Sequence, residues 1–140
     1  MIYRDANVTV TAFLVKHGDV KHALGYRFQT PDRTIVISGD TSPSQAVINA
    51  CGCDMLIHEA YSLETYNQVS PAFQLYRRKH HTSSRELAEL ASRTRPKLLI
   101  LYHRANPGAY GKPSPEEAVL NEVKETYTGA VVTGHDLDLF

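Results

Sequence analysis

Hydrophobic and polar positions follow two different rhythms along the chain. In Val8-Thr9-Val10-Thr11-Ala12-Phe13-Leu14-Val15 they alternate among β-branched residues, which predicts a strand. A polar loop from Lys16 to Lys21 follows, then a second strand over Ala23–Gln29, a turn at Thr30–Arg33 and a third strand over Thr34–Ser38. The apolar residues of the third strand run together, as they do when both faces are covered. Short connections between these three strands predict an antiparallel meander. A short helix over Ser44–Ala50 precedes another buried strand, Met55-Leu56-Ile57-His58, which ends on Glu59.

Beyond Glu59 the spacing shifts to helix, strand, helix, strand. Ser83 lies three residues ahead of Glu86, the arrangement in which a serine and a glutamate reciprocally cap a helix start. Leu87, Leu90 and Ala91 then share one face of a helix over Ser84–Arg93. Leu98–Tyr102 is the next buried strand and ends on His103-Arg104. Ser114-Pro115-Glu116-Glu117 starts a second helix with proline at its first position, burying Val119, Leu120, Val123 and Tyr127. Ala130–Thr133 and Leu137–Phe140 are expected to close the chain as short strands. The expected class is α/β, with helices packed on a mixed sheet.

Composition narrows the picture. At 140 residues the chain is expected to form a single domain over 1–140 and to bury about 68% of its unfolded surface. Lys and Arg number 15 and so do Asp and Glu, which removes any net-charge argument for nonspecific binding to nucleic acid or membranes. Arg77-Arg78-Lys79-His80-His81 is the one local basic cluster. No run approaches the roughly 20 apolar residues of a membrane span, and the opening residues lack a secretion-signal pattern, so a cytoplasmic chain is expected. Cys51 and Cys53, one residue apart, are expected to be buried free thiols.

Four apolar segments end on a residue able to bind a metal or move a proton: His17, Asp40, Glu59 and His103. Sites are commonly built where strands of a rigid sheet give way to loops. Each residue also has a simpler explanation, since a loop histidine is often merely solvated and an aspartate after glycine often only caps a turn. The residues alone leave both readings open.

The segments KHGDVKHALGYRF (Lys16–Phe28), TIVISGDTSPS (Thr34–Ser44), CDMLIHEAY (Cys53–Tyr61), HHTSSRELAELA (His80–Ala91) and KLLILYHR (Lys97–Arg104) resemble, in order, the metallo-β-lactamase fold superfamily, in particular its ribonuclease Z and arylsulfatase-like branch. The resemblance implies half of an αββα sandwich, a mixed sheet with helices on one face. It implies that His17 is a ligand of a first metal, with His22 as the fallback, that Asp40 bridges two metals and that His103 binds the second. His81 corresponds to a histidine that assists phosphoryl substrates without binding metal, and Glu59 to an acid that orients it. Zinc is the implied metal, with manganese or iron compatible with the same donors.

The superfamily's His-x-His-x-Asp-His signature is absent, and the chain resembles the C-terminal half of the fold. Three ligands are too few to hold two ions tightly, so the chain alone is expected to hold one ion at best, and weakly. His135-Asp136 is a further candidate ligand. The implied partners are a second copy or an N-terminal half, either of which would cover the sheet's apolar face. The implied reaction is hydrolysis of a small phosphodiester or another ester; the balanced charge disfavours nucleic acid. The competing expectation is a catalytically silent truncated domain serving as an assembly or interaction module.

Overall fold

The computed structural model of the protein describes residues 1–104 and 116–140. Seven strands form one sheet in sequence order: β1 (Tyr3–Arg4), β2 (Thr9–Leu14), β3 (Leu24–Gln29), β4 (Thr34–Ile37), β5 (Met55–Ala60), β6 (Leu98–Arg104) and β7 (Val131–Thr133). β1 to β4 are antiparallel, as the short connections required, and β4 to β7 are parallel. The helices are α1 (Gln45–Ala50), α2 (Leu63–Tyr66), α3 (Pro71–His80), α4 (Ser84–Thr94) and α5 (Glu116–Lys124). The Ser114-Pro115 helix start lies outside the described residues.

One face of the sheet carries the core. Val36, Leu56, Ala60, Leu99, Leu101 and Val131 meet Val47, Leu87, Leu90, Ala91, Val119 and Val123 from the helices. α4 begins at a complete capping box: the Ser83 hydroxyl accepts from the Glu86 N–H while the Glu86 carboxylate accepts from the Ser83 N–H. The opposite face presents two registered apolar rows, Val10-Phe28-Ile35-Met55-Leu98 and Ala12-Tyr26-Ile37-Ile57-Ile100-Val132. Tyr26, Phe28, Ile35, Ile37, Met55 and Ile57 on it are only half-buried.

Two expectations fail. Cys51 and Cys53 are not free thiols but a disulfide. Gly52, at φ +81°, turns the chain at the end of α1 and brings the two Cα atoms to 4.7 Å. Leu137–Phe140 is not a strand: Leu137 sits at φ +72°, and Leu137 and Leu139 are almost fully exposed. β1, α2 and α3 had no counterpart in the hydrophobic pattern.

Candidate metal centre

The C-terminal ends of β4, β5 and β6 and the loop after β2 converge at one point. β4 gives way to Ser38-Gly39-Asp40, and Gly39 makes that exit possible. It lies at φ +63°, and a Cβ there would stand 2.3 Å from the Leu24 carbonyl oxygen. β5 carries Glu59 at a register shift between Glu59 and Ala60, the kind of irregularity that re-aims side chains beside sites. β6 delivers His103, whose φ of +34° is a left-handed conformation uncommon outside glycine.

The structure brings the sequence-derived candidates together. Donor atoms of His17, Asp40 and His81 all lie within 4.8 Å of one another, a grouping able to hold a metal ion. His103 joins them through Nε2, 3.3 Å from Asp40 Oδ2. Glu59 stands behind His81, with Oε1 3.2 Å from its Nδ1. His22 is exposed in the β2–β3 loop, and His135 pairs with Asp138 at 3.0 Å; neither belongs to the cluster.

The hydrogen bonds set the state of each ring. His17 Nδ1 is 2.8 Å from the His80 carbonyl oxygen, which can only accept, so Nδ1 carries the proton and Nε2 keeps its lone pair for the cluster. Glu59 Oε1 also accepts from the Thr41 N–H at 2.9 Å and the Thr82 N–H at 3.3 Å, which makes it the acceptor toward His81 Nδ1 as well. His81 therefore likewise offers Nε2. Thr82 Oγ1 ties the arrangement shut by donating to the Thr41 carbonyl at 2.7 Å.

Burial dominates the electrostatics. It pushes the Glu59 carboxyl up to about 9, with the Asp40 charge adding to the effect and the Thr41 N–H opposing it. It holds the His81 imidazole below its ordinary value, against the pull of Asp40, so the resting ring is neutral at pH 7. Asp40 thus has three imidazoles around it, His17 and His81 within 4.8 Å and His103 at 3.3 Å, and two of them with the carboxylate make a donor set that suits zinc and other divalent transition metals while the third stays free for a substrate. Beside the centre a cavity of about 430 Å³ opens, lined by Lys16, His17, Asp19, Ser42 and Lys79 among others.

A family model described as a beta-lactamase superfamily domain matches residues 2–104. The chain belongs to the beta-lactamase superfamily. Among curated members, the ribonuclease Z of Brevibacillus brevis is 45% identical over 74 residues, covering 52% of this chain and 21% of that protein. The ribonuclease Z of Mycobacterium bovis is 27% identical over 131 residues, covering 93% of this chain and 46% of that one. The crystal structure of the metallo-β-lactamase fold protein YhfI from Bacillus subtilis aligns with a TM-score of 0.69 at 18% identity, over 94% of this chain and 49% of that one. The short form of human tRNase Z aligns with a TM-score of 0.56 at 24% identity, over 74% and 38% of the two chains. The two solved structures establish the metallo-β-lactamase fold. The chain spans half or less of the length of each of these four relatives.

Sequence reasoning reached His17, Asp40, Glu59, His81 and His103 but not the groups that hold them. Thr41 and Thr82 act through backbone N–H groups, which leave no residue-type signal. His80 acts through a carbonyl; the glycine immediately after His17 was the one available hint. Among the described residues no helix is long and apolar enough to cross a membrane.

Proposed function

We propose that the chain carries one side of a metal-dependent phosphodiesterase centre and that its substrate is RNA. The observation that carries this reading is the convergence of His17, Asp40, His81 and His103 at the ends of β4 to β6 in a member of this superfamily. His17, Asp40 and His103 would hold the metal. A divalent cation held there supplies charge to polarise a phosphoryl oxygen and makes a water acidic enough to act as nucleophile at neutral pH.

His81 is assigned to the substrate and not to the ion. Its ring is fixed by Glu59, and an approaching phosphoryl anion favours the protonated imidazole, which can then pass the Nε2 proton to the leaving oxygen. Glu59 orients the ring and excludes water behind it, since its carboxyl group is fully buried.

RNA replaces the earlier expectation against nucleic acid for two reasons. The curated relatives above are named ribonuclease Z. Net charge was also the wrong scale: Lys16 and Lys79 both line the cavity adjoining His17, with Asp19 the one acidic residue in its lining, so the local balance suits an anionic strand even where the total is zero.

Three ligands do not satisfy two ions. We infer that the remaining donors come from a second layer of the same fold packed on the apolar rows of the sheet, a reading supported by the relatives' greater length.

The test is cleavage of a short RNA and of bis(p-nitrophenyl) phosphate with zinc or manganese by the chain paired with the N-terminal half of a ribonuclease Z relative, comparing wild type with His81→Ala and Asp40→Ala. The expected result is metal-stimulated cleavage, lost in Asp40→Ala through lost metal and reduced about 10²- to 10⁴-fold in His81→Ala with metal retained. Equal cleavage by all three proteins, or metal bound stoichiometrically without cleavage of either substrate, would contradict the reading; the latter would favour a silent module.

A further inference from the structure

The C-terminus of α3 reaches into the centre although none of its side chains was assigned there. The last carbonyls of a helix have no partner within it and must find one elsewhere. Here two consecutive carbonyls find two consecutive residues of the β2–β3 loop. The Lys79 oxygen accepts from the Gly18 N–H at 2.9 Å, and the His80 oxygen accepts from His17 Nδ1 at 2.8 Å.

The His80 ring locks this grip in place. Its Nδ1 donates to the Tyr76 carbonyl at 2.8 Å, its plane stacks on the Tyr76 ring at a centroid distance of 4.1 Å, and it stands edge-on to His17 at 5.0 Å. It also fills the space above Gly18, where a Cβ would come within 2.0 Å of His80 Nε2. Gly18 lies at φ +55°, so the loop needs glycine both for its backbone angle and for the close approach of the ring.

We propose that α3 is the positioning element for His17: its terminal carbonyls hold the imidazole as the Nδ1–H tautomer with Nε2 toward the centre, and Gly18 and His80 are the residues through which it acts. Both are positioning residues, neither touching the reacting atoms. The inference rests on reading the centre as a metal site, because only there does the tautomer of His17 matter for binding.

Two measurements on the full chain test it. Long-range ¹H–¹⁵N NMR on metal-free protein at pH 8 reads the His17 tautomer; titration with Co²⁺ reads affinity and the visible ligand-field bands. Wild type is expected to show a single Nδ1–H tautomer. Gly18→Ala is expected to mix the tautomers, weaken Co²⁺ binding about 10- to 100-fold and alter the bands. Gly52→Ala is the control, because Gly52 has the same left-handed demand, φ +81°, but open space around it. It should lower stability while leaving tautomer and affinity unchanged. In Gly18→Ala/His80→Ala the missing ring makes room for the new methyl group, and affinity should recover relative to Gly18→Ala.

An Nε2–H or mixed tautomer in wild type would overturn the inference whether or not Gly18→Ala folds. So would Gly18→Ala behaving like Gly52→Ala in both readouts. A wild type that fixes the tautomer yet takes up no Co²⁺ would remove the metal reading and leave the positioning by α3 standing.

Discussion

His58 is fully buried on the core face of β5, its Nδ1 bonded at 2.7 Å to the Glu59 carbonyl oxygen and its Nε2 without a hydrogen-bond partner among the described residues. Burial pushes its pKa down to about 4, with the Glu59 hydrogen bond opposing. The unfolded chain takes a proton near 6.5 while the folded chain refuses one, so stability present above 6.5 is lost as pH falls toward 4. The loss from this one group is about 3 kcal/mol. Urea denaturation across that pH range should show the decline, and His58→Leu should flatten it; an identical slope in the variant would remove His58 as its source.

At the scale of elements, Glu122 on α5 gathers four donors: the Ser62 hydroxyl at 2.7 Å, the Leu63 and Glu64 N–H groups at 2.9 and 3.1 Å, and the Ser84 hydroxyl. It thereby joins α5 to the starts of α2 and α4. Burial raises its pKa, but the four hydrogen bonds together outweigh that and hold it below the usual carboxylate range. Its contribution is complete above the unfolded carboxylate pKa and fades as pH falls through the lower folded value. Glu122→Ala should cost about 2 kcal/mol at pH 7 and less at pH 3, read from denaturant midpoints. Ser83→Ala, which opens the α4 capping box, should cost about 1 kcal/mol.

The same elements show what a sequence can and cannot disclose. α4 was legible because its apolar spacing and its cap agree with the tertiary packing. α3 was not, because the residue it buries is Arg77, held between the rings of Tyr61 and Phe73 at 5.6 and 5.2 Å, so no apolar stripe marks the helix. The last residues failed in the opposite way: Leu137, Leu139 and Phe140 have the spacing of a strand but pair with no strand among the described residues. Four residues of the centre, His17, Asp40, Glu59 and His103, could be picked out because each follows an apolar run, whereas His81 follows a basic one and was reached only through the family resemblance. Their supports could not, since backbone N–H and carbonyl groups belong to every residue alike.

At the scale of the whole molecule, the sheet is covered on one side by helices and carries two apolar rows on the other. Contiguous apolar patches of this kind seldom stay open to water. The chain alone, at micromolar concentration, should therefore self-associate or bind a hydrophobic dye, and Ile37→Lys should reduce both. Light scattering that finds a monodisperse monomer without dye binding would argue against a missing second layer.

Whether His17, Asp40 and His103 hold a metal ion is read by elemental mass spectrometry on size-fractionated protein, with Asp40→Ala alongside. Zinc, manganese or iron should be bound to the wild-type chain, at least in part, and lost from the variant. Equal metal content in two equally folded proteins, or none in either after reconstitution, would contradict that expectation.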